Sequence, residues 1–126
     1  MIGYVIVGSR DLPKATSFYD EIMPIIGLMR VETSDEYVAY APKDKPEAVE
    51  FYIAKPFDGK PATIGNGSMI AFHVPTRETV ELFHKTALAC GGQDEGAPGC
   101  RPADAVEYYA YSRDMDGNKI CVFCAN

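Results

Sequence analysis

Apolar and polar positions along the chain fall into two passages with the same order of events. In each, a short apolar strand breaks at polar residues and gives way to a segment whose apolar positions recur at helical spacing. Residues 2 to 8 alternate around Val5 and Val7 and predict a strand. Ala15, Phe18, Tyr19 and Ile22 then make one apolar helical face. Asp11 is placed to cap its start, and Pro13 lies early, where its missing N–H does no harm. Pro24 and Gly27 close that helix. The second passage opens on Ser68 to Val74, with Thr76 as cap and Val80, Phe83, His84 and Ala87 as the face. It stops at Gly91 and Gly92.

The two passages are in register. Tyr4 falls on Met69, Phe18 on Phe83 and Gly27 on Gly92, each pair 65 residues apart. Farther along the offset grows to 71, where Glu36-Tyr-Val-Ala-Tyr-Ala falls on Glu107-Tyr-Tyr-Ala-Tyr-Ser. Strand-type segments follow each helix: Leu28 to Glu32, Glu36 to Ala41 and Val49 to Ala54, then a weak strand near Gln93, Val106 to Arg113 and Lys119 to Cys124. Each module therefore reads β-α-β-β-β. The expected fold is α+β, one domain over residues 1–126. Its first module covers about 1–54, a Gly- and Pro-rich linker about 55–67, and the second module about 68–126. Neither module carries enough apolar surface to stand alone. Packed together, they leave a cavity between equivalent faces, and function is expected there.

Composition narrows the classes. Twelve scattered Lys and Arg against 18 Asp and Glu leave a net charge of -6, which argues against a nucleic-acid partner. No apolar run approaches the roughly 20 residues that span a bilayer, and no secretory leader pattern opens the chain. A cytoplasmic protein is expected. Of the four cysteines, Cys121 and Cys124 have the spacing of a metal half-site. On a strand, however, residues three apart point to opposite faces, and no second pair exists at similar spacing. These read as structural thiols.

Two tandem β-α-β-β-β units resemble the vicinal oxygen chelate superfamily. That is the family of glyoxalase I, extradiol dioxygenases, fosfomycin-resistance enzymes and bleomycin-resistance proteins. Val5-Ile-Val-Gly-Ser-Arg-Asp-Leu with Ser17-Phe18-Tyr19 looks like its N-terminal signature, and Asp114-Met-Asp-Gly-Asn-Lys-Ile before the last strand like its C-terminal one. The resemblance implies the glyoxalase/bleomycin resistance fold, with tandem modules forming an open barrel-like cleft, and a homodimer. In metal-dependent members it implies four ligands at pseudo-equivalent strand positions, usually His, Gln or Glu. The motifs and the repeat put these at Tyr4, Glu50, Met69 and Cys121. Only Glu50 suits a hard divalent ion. Tyr4 would have to give up a phenol proton to bind one, Met69 is a soft thioether, and Glu50 with Cys121 makes too few ligands for a catalytic site. No metal cofactor is expected.

The leading expectation is a small-molecule-binding cleft in which Tyr4, Met69, His73 and Cys121 shape the pocket and Glu50 fixes a polar ligand group. Met69, Ala71 and His73 share a strand face, and histidine is the side chain suited to acid-base work near neutral pH. The alternative is a lyase or isomerase of the glyoxalase kind, with Glu50 and His73 as acid and base or with an atypical metal. A subunit-interaction module without a ligand is a third class. His84 reads as a packing residue. Of Tyr37, Tyr40, Tyr108, Tyr109 and Tyr111, some are expected to line the cleft. Asp114 to Asn118 reads as a hairpin turn, since a calcium loop starting at Asp114 would need Glu where Ala125 stands. Glu95 to Ala105 reads as a loop bearing Arg101, which either stays solvated or meets an anion in the cleft.

Overall fold

A computed structural model describes residues 1–126. The first module consists of β1 (Val5–Gly8), α1 (Leu12–Ile22), a 3-10 turn (Met23–Ile26), β2 (Leu28–Thr33), β3 (Tyr37–Pro42) and β4 (Phe51–Ala54). The second consists of β5 (Ile70–His73), α2 (Arg77–Ala89), β6 (Gln93–Cys100), β7 (Tyr108–Arg113) and β8 (Lys119–Cys124). The Asp11 carboxylate accepts from Lys14 N at 3.1 Å and the Thr76 hydroxyl from Thr79 N at 3.2 Å, so both helices start at side-chain caps. The weak strand at Gln93 is the longest of the eight. The loop expected over Glu95 to Ala105 is strand as far as Cys100.

The strands form two four-stranded sheets, ordered β1-β4-β3-β2 and β5-β8-β7-β6. The pairs β1–β4 and β5–β8 are parallel and the others antiparallel. No ladder joins β1 to β5, so the sheets are not closed. The helices cover one face of each sheet and touch each other. Their apolar faces and the inward residues of both sheets make one core: Phe18, Tyr19 and Ile22 of α1, Val80 and Phe83 of α2, Phe51 and Ile53 of β4, Ile120 and Val122 of β8. Burying each such side chain contributes about 1.5–3 kcal/mol. The rings of Phe51 and Phe72, one from each sheet, meet at 5.8 Å.

Pairing within the sheets corrects the internal register. Val5 pairs with Phe51, and its counterpart Ile70 pairs with Ile120, so Phe51 corresponds to Ile120 and Glu50 to Lys119. Tyr40 pairs with Phe51 and Ser112 with Ile120, which sets Tyr37 against Tyr109. The offset of 71 therefore holds for neither strand pair. The physical reason lies in the connections. β3 reaches β4 through residues 43–50, whereas β7 turns into β8 through 114–118, so the repeat drifts at every loop.

That short turn also clasps the modules. The Asp114 carboxylate is 5% exposed. One oxygen accepts from the Asp116 and Asn118 amides, both at 2.9 Å. The other accepts from the Asn118 side chain at 2.9 Å and from the Tyr19 hydroxyl, in the other module, at 2.6 Å. Asn118 also donates to Gly8 O at 2.9 Å, and Asp116 accepts from Arg10 N at 2.8 Å. Burial first, and then the Asp114 charge, push the Tyr19 phenol well above its ordinary value, so it remains a donor. The linker passes over the same junction, with Ala62 at 3.0 Å from where a Cβ on Gly8 would sit.

Tyr19→Phe leaves a buried carboxylate short of one donor and is expected to cost about 1.5–3 kcal/mol. Arg10→Ala, which removes only an exposed partner of Asp116, should cost about 1 kcal/mol or less. Urea unfolding of both variants checks this. Equal costs would show that the clasp carries no special weight.

Candidate functional site

Strand alternation places on the open faces, away from the helices, the residues that the core does not use. In the first sheet Tyr4, Tyr52 and Tyr37 lie there, with ring centroids 5.1 and 5.7 Å apart in sequence. In the second, His73, Phe123 and Tyr109 occupy one cross-strand row, since His73 pairs with Phe123 and Phe123 with Tyr109. Their centroids are 5.0 and 5.3 Å apart, and Tyr111 stacks on Tyr109 at 6.1 Å. Tyr40 and Tyr108 are spent elsewhere. Tyr40 is in the core, and Tyr108 donates to Glu81 on α2 at 2.9 Å.

The expected site residues distribute over both sheets. Tyr4 and Glu50 adjoin at the start of β1 and β4, each one residue before the paired Val5 and Phe51. Met69 adjoins Lys119 in the same way, one residue before Ile70 and Ile120. His73 stands at the far end of β5, exposed on the aromatic face. Cys121 lies one row in from the Met69–Lys119 row, paired with Ala71 and Tyr111. Glu50 and Cys121 are therefore not equivalent in the repeat: strand pairing makes Lys119 the counterpart of Glu50 and Tyr52 the counterpart of Cys121. Core matching carries the signal that finds it, since Phe51 and Ile53 align with Ile120 and Val122 and bring Glu50 onto Lys119.

Cys121 is 1% exposed and forms floor rather than wall. Burial, partly offset by the Lys119 charge, pushes its thiol from 9.0 to about 11, so it is neutral at ordinary pH. Burial likewise raises the Tyr111 phenol. His84 packs at the position of Tyr19 in the repeat. It is buried, with Nε2 at 3.0 Å from an Asp94 oxygen. Asp94 and the next residue, Glu95, hold β6 in place. The Gly96 amide and then His84 lower the Asp94 carboxyl, and Arg113 lowers that of Glu95.

Between the unpaired edges β1 and β5 runs a cleft of about 450 Å³, lined by Ile6, Gly8, Met69, Ile70 and Lys119 among others. A larger concavity of about 910 Å³ lies between the first turn of α1 and the β2–β3 connection. Its Asp20 already accepts from Arg30 at 3.1 Å and Tyr40 at 2.9 Å. As a metal site the four strand positions do not fit. The Tyr4 phenol, the Glu50 carboxylate, the Met69 thioether and the buried, neutral Cys121 thiol offer one hard anionic ligand, and the neighbouring Lys119 charge repels a cation. No three His, Cys, Asp or Glu side chains converge anywhere in the chain. No helix is long and apolar enough to cross a membrane.

Comparison with known proteins agrees with this architecture. The profile of the Glyoxalase/Bleomycin resistance protein/Dioxygenase superfamily matches residues 1–122. A glyoxalase/bleomycin resistance protein from Albidiferax ferrireducens T118 is 35% identical, with a TM-score of 0.88 over 100% of this chain and 99% of that one. A glyoxalase/bleomycin resistance protein/dioxygenase family enzyme from Burkholderia phytofirmans PsJN shares the fold at 18% identity and a TM-score of 0.72, covering 98% of each chain. So does a lactoylglutathione lyase from Agrobacterium tumefaciens, at 18% identity and a TM-score of 0.67, over 98% of this chain and 92% of that one. No curated protein matches in sequence.

The thiol of Cys121 sets a pH test. Because its folded value is raised, any stability it lends is complete below the ordinary thiol range and is lost as pH climbs through about 11. Iodoacetamide labelling followed by peptide mass spectrometry should find Cys121 unmodified at pH 8 in the folded protein and modified on denaturation. Rapid labelling of the native protein at pH 8 would contradict this account of the floor.

Proposed function

Because the chain belongs to the glyoxalase/bleomycin resistance protein/dioxygenase superfamily, we propose that it binds a small molecule and works without the divalent metal of its metal-dependent relatives. The observation that carries this reading is the donor set: among Tyr4, Glu50, Met69 and Cys121 only Glu50 is a hard anionic ligand, and the Lys119 cation lines the cleft beside Met69. An ammonium there does what a metal would do electrostatically, holding positive charge near the ligand. It has no open coordination position with which to activate one. Tyr4, Met69 and His73 supply amphipathic surface, Cys121 lies beneath it, and Glu50 offers an exposed carboxylate to a polar ligand group. The protein acts as a cytoplasmic homodimer in this reading. Ile2, Tyr4, Ile6 and Met69 are exposed apolar positions near these edges that a second copy would cover.

Purified protein analysed by elemental mass spectrometry should carry no stoichiometric zinc, nickel, iron or manganese, and these ions should leave its melting temperature unchanged. About one tightly held ion per chain would overturn the metal-free reading. Turnover of a dicarbonyl–thiol adduct, abolished by both Glu50→Gln and His73→Ala in folded protein, would favour a lyase or isomerase instead. Light scattering should return twice the chain mass, and a monomer at micromolar concentration would remove the dimer.

A further inference from the structure

We propose that the open face of the second sheet takes planar aromatic carboxylates, with the ring joining the stack of His73, Phe123, Tyr109 and Tyr111 and the carboxylate meeting Lys119 and Arg101. This rests on the reading of the protein as a small-molecule binder and names the chemical class of its ligand.

Three of the four rings, Phe123, Tyr109 and Tyr111, share one orientation, and His73 is tilted against them. Tyr109 and Tyr111 are parallel within 3°, Tyr109 and Phe123 within 15°, and His73 and Phe123 within 34°. A flat ring entering this face can continue the stack with offset contacts, the arrangement aromatic pairs prefer. An aliphatic guest of equal area gains the burial alone.

Positive charge is concentrated at one end of that stack. The Lys119 ammonium lies 5.4 Å from the Tyr111 centroid and the Arg101 guanidinium 5.8 Å from it. Neither has a carboxylate within 4.0 Å, in a chain whose acidic residues outnumber its basic ones. The acidic group whose charge reaches Lys119 is Glu95, and it is already bound to Arg113. Arg101 is held, not loose. It donates to Ala97 O at 2.8 Å and to Cys100 O at 3.4 Å, which leaves part of its five-donor fork for another acceptor.

The strand beneath is shaped for this. β6 carries glycine at 96 and 99. A Cβ at 96 would lie 2.8 Å from the Tyr111 ring, and one at 99 would lie 2.7 Å from an Arg101 nitrogen. Side chains there would displace the guanidinium from the ring. The first sheet has the tyrosines but no such pair of cations over them. Two cations joined to one π surface, with no carboxylate within 4.0 Å of either, match a ligand that is flat at one end and negative at the other.

Calorimetric titration at low salt with naphthoate, its neutral amide naphthamide, and the saturated cyclohexanecarboxylate tests this on the full chain. Naphthoate should bind at least about tenfold tighter than either analogue. Arg101→Gln and Lys119→Gln should each weaken naphthoate by about tenfold while leaving naphthamide unchanged. Tyr109→Leu should weaken both aromatic probes, with circular dichroism confirming that each variant folds. Equal affinity for naphthoate and naphthamide, or indifference of naphthoate to both cation substitutions, overturns the proposal. If naphthoate fails to bind while neutral or cationic metabolites raise the melting temperature, the carboxylate assignment falls and the binding reading stands. If no small molecule binds, both fall.

Discussion

The buried carboxylate of Asp114 is the constraint on which the relation of the two modules depends. β1 and β5 approach edge to edge without a ladder, so no backbone pairing sets the angle or the height of one sheet against the other. Core packing supplies cohesion, but apolar contact is not directional. Direction comes from one side chain that accepts four hydrogen bonds, one of them from Tyr19 across the junction. A charged acceptor out of water demands its donors in place. Asn118 extends the same demand to the Gly8 carbonyl. The lining of the cleft between the edges, Gly8 with Met69 and Lys119, therefore follows from a turn that gives the cleft itself only Asn118.

The two copies of the repeat solve the same packing problem with different polar partners. Tyr19 and His84 stand at equivalent places on their helices, and each is buried against an aspartate. Tyr19 reaches Asp114 in the other module. His84 stays within its own and holds Asp94 of β6. With Glu95 bound to Arg113, this fastens the strand that carries Gly96, Gly99 and, just beyond it, Arg101. The asymmetry runs on to the open faces. Tyrosines cluster on both, but cations gather over the rings only on the second, where ammonium and guanidinium flank Tyr111.

Much of the fold was legible along the chain. The helix faces Ala15, Phe18, Tyr19, Ile22 and Val80, Phe83, His84, Ala87 are all buried, and both caps form, because helical spacing and capping are local properties. The succession β-α-β-β-β along each module followed from the repeat, whereas the order of strands within each sheet came only with the structure. The site was less legible. Matching Glu36-Tyr with Glu107-Tyr by their letters made Glu50 equivalent to Cys121, whereas strand pairing within each sheet makes it equivalent to Lys119. Letter identity between Tyr37 and Tyr108 misled because loops of unequal length separate the copies.

By itself, the sequence determined what each segment does alone: which residues form helices, which alternate as strands, where the chain turns, and that the plan is repeated. Periodicity and capping act over a few residues, so they can be read directly. The tertiary structure decided what comes together across the chain. It put Tyr19 on Asp114, sank Cys121 below the surface, brought Lys119 beside Met69, and laid Arg101 over Tyr111. Those meetings depend on the register between strands far apart in sequence, and loop length and core packing set that register without leaving a local pattern.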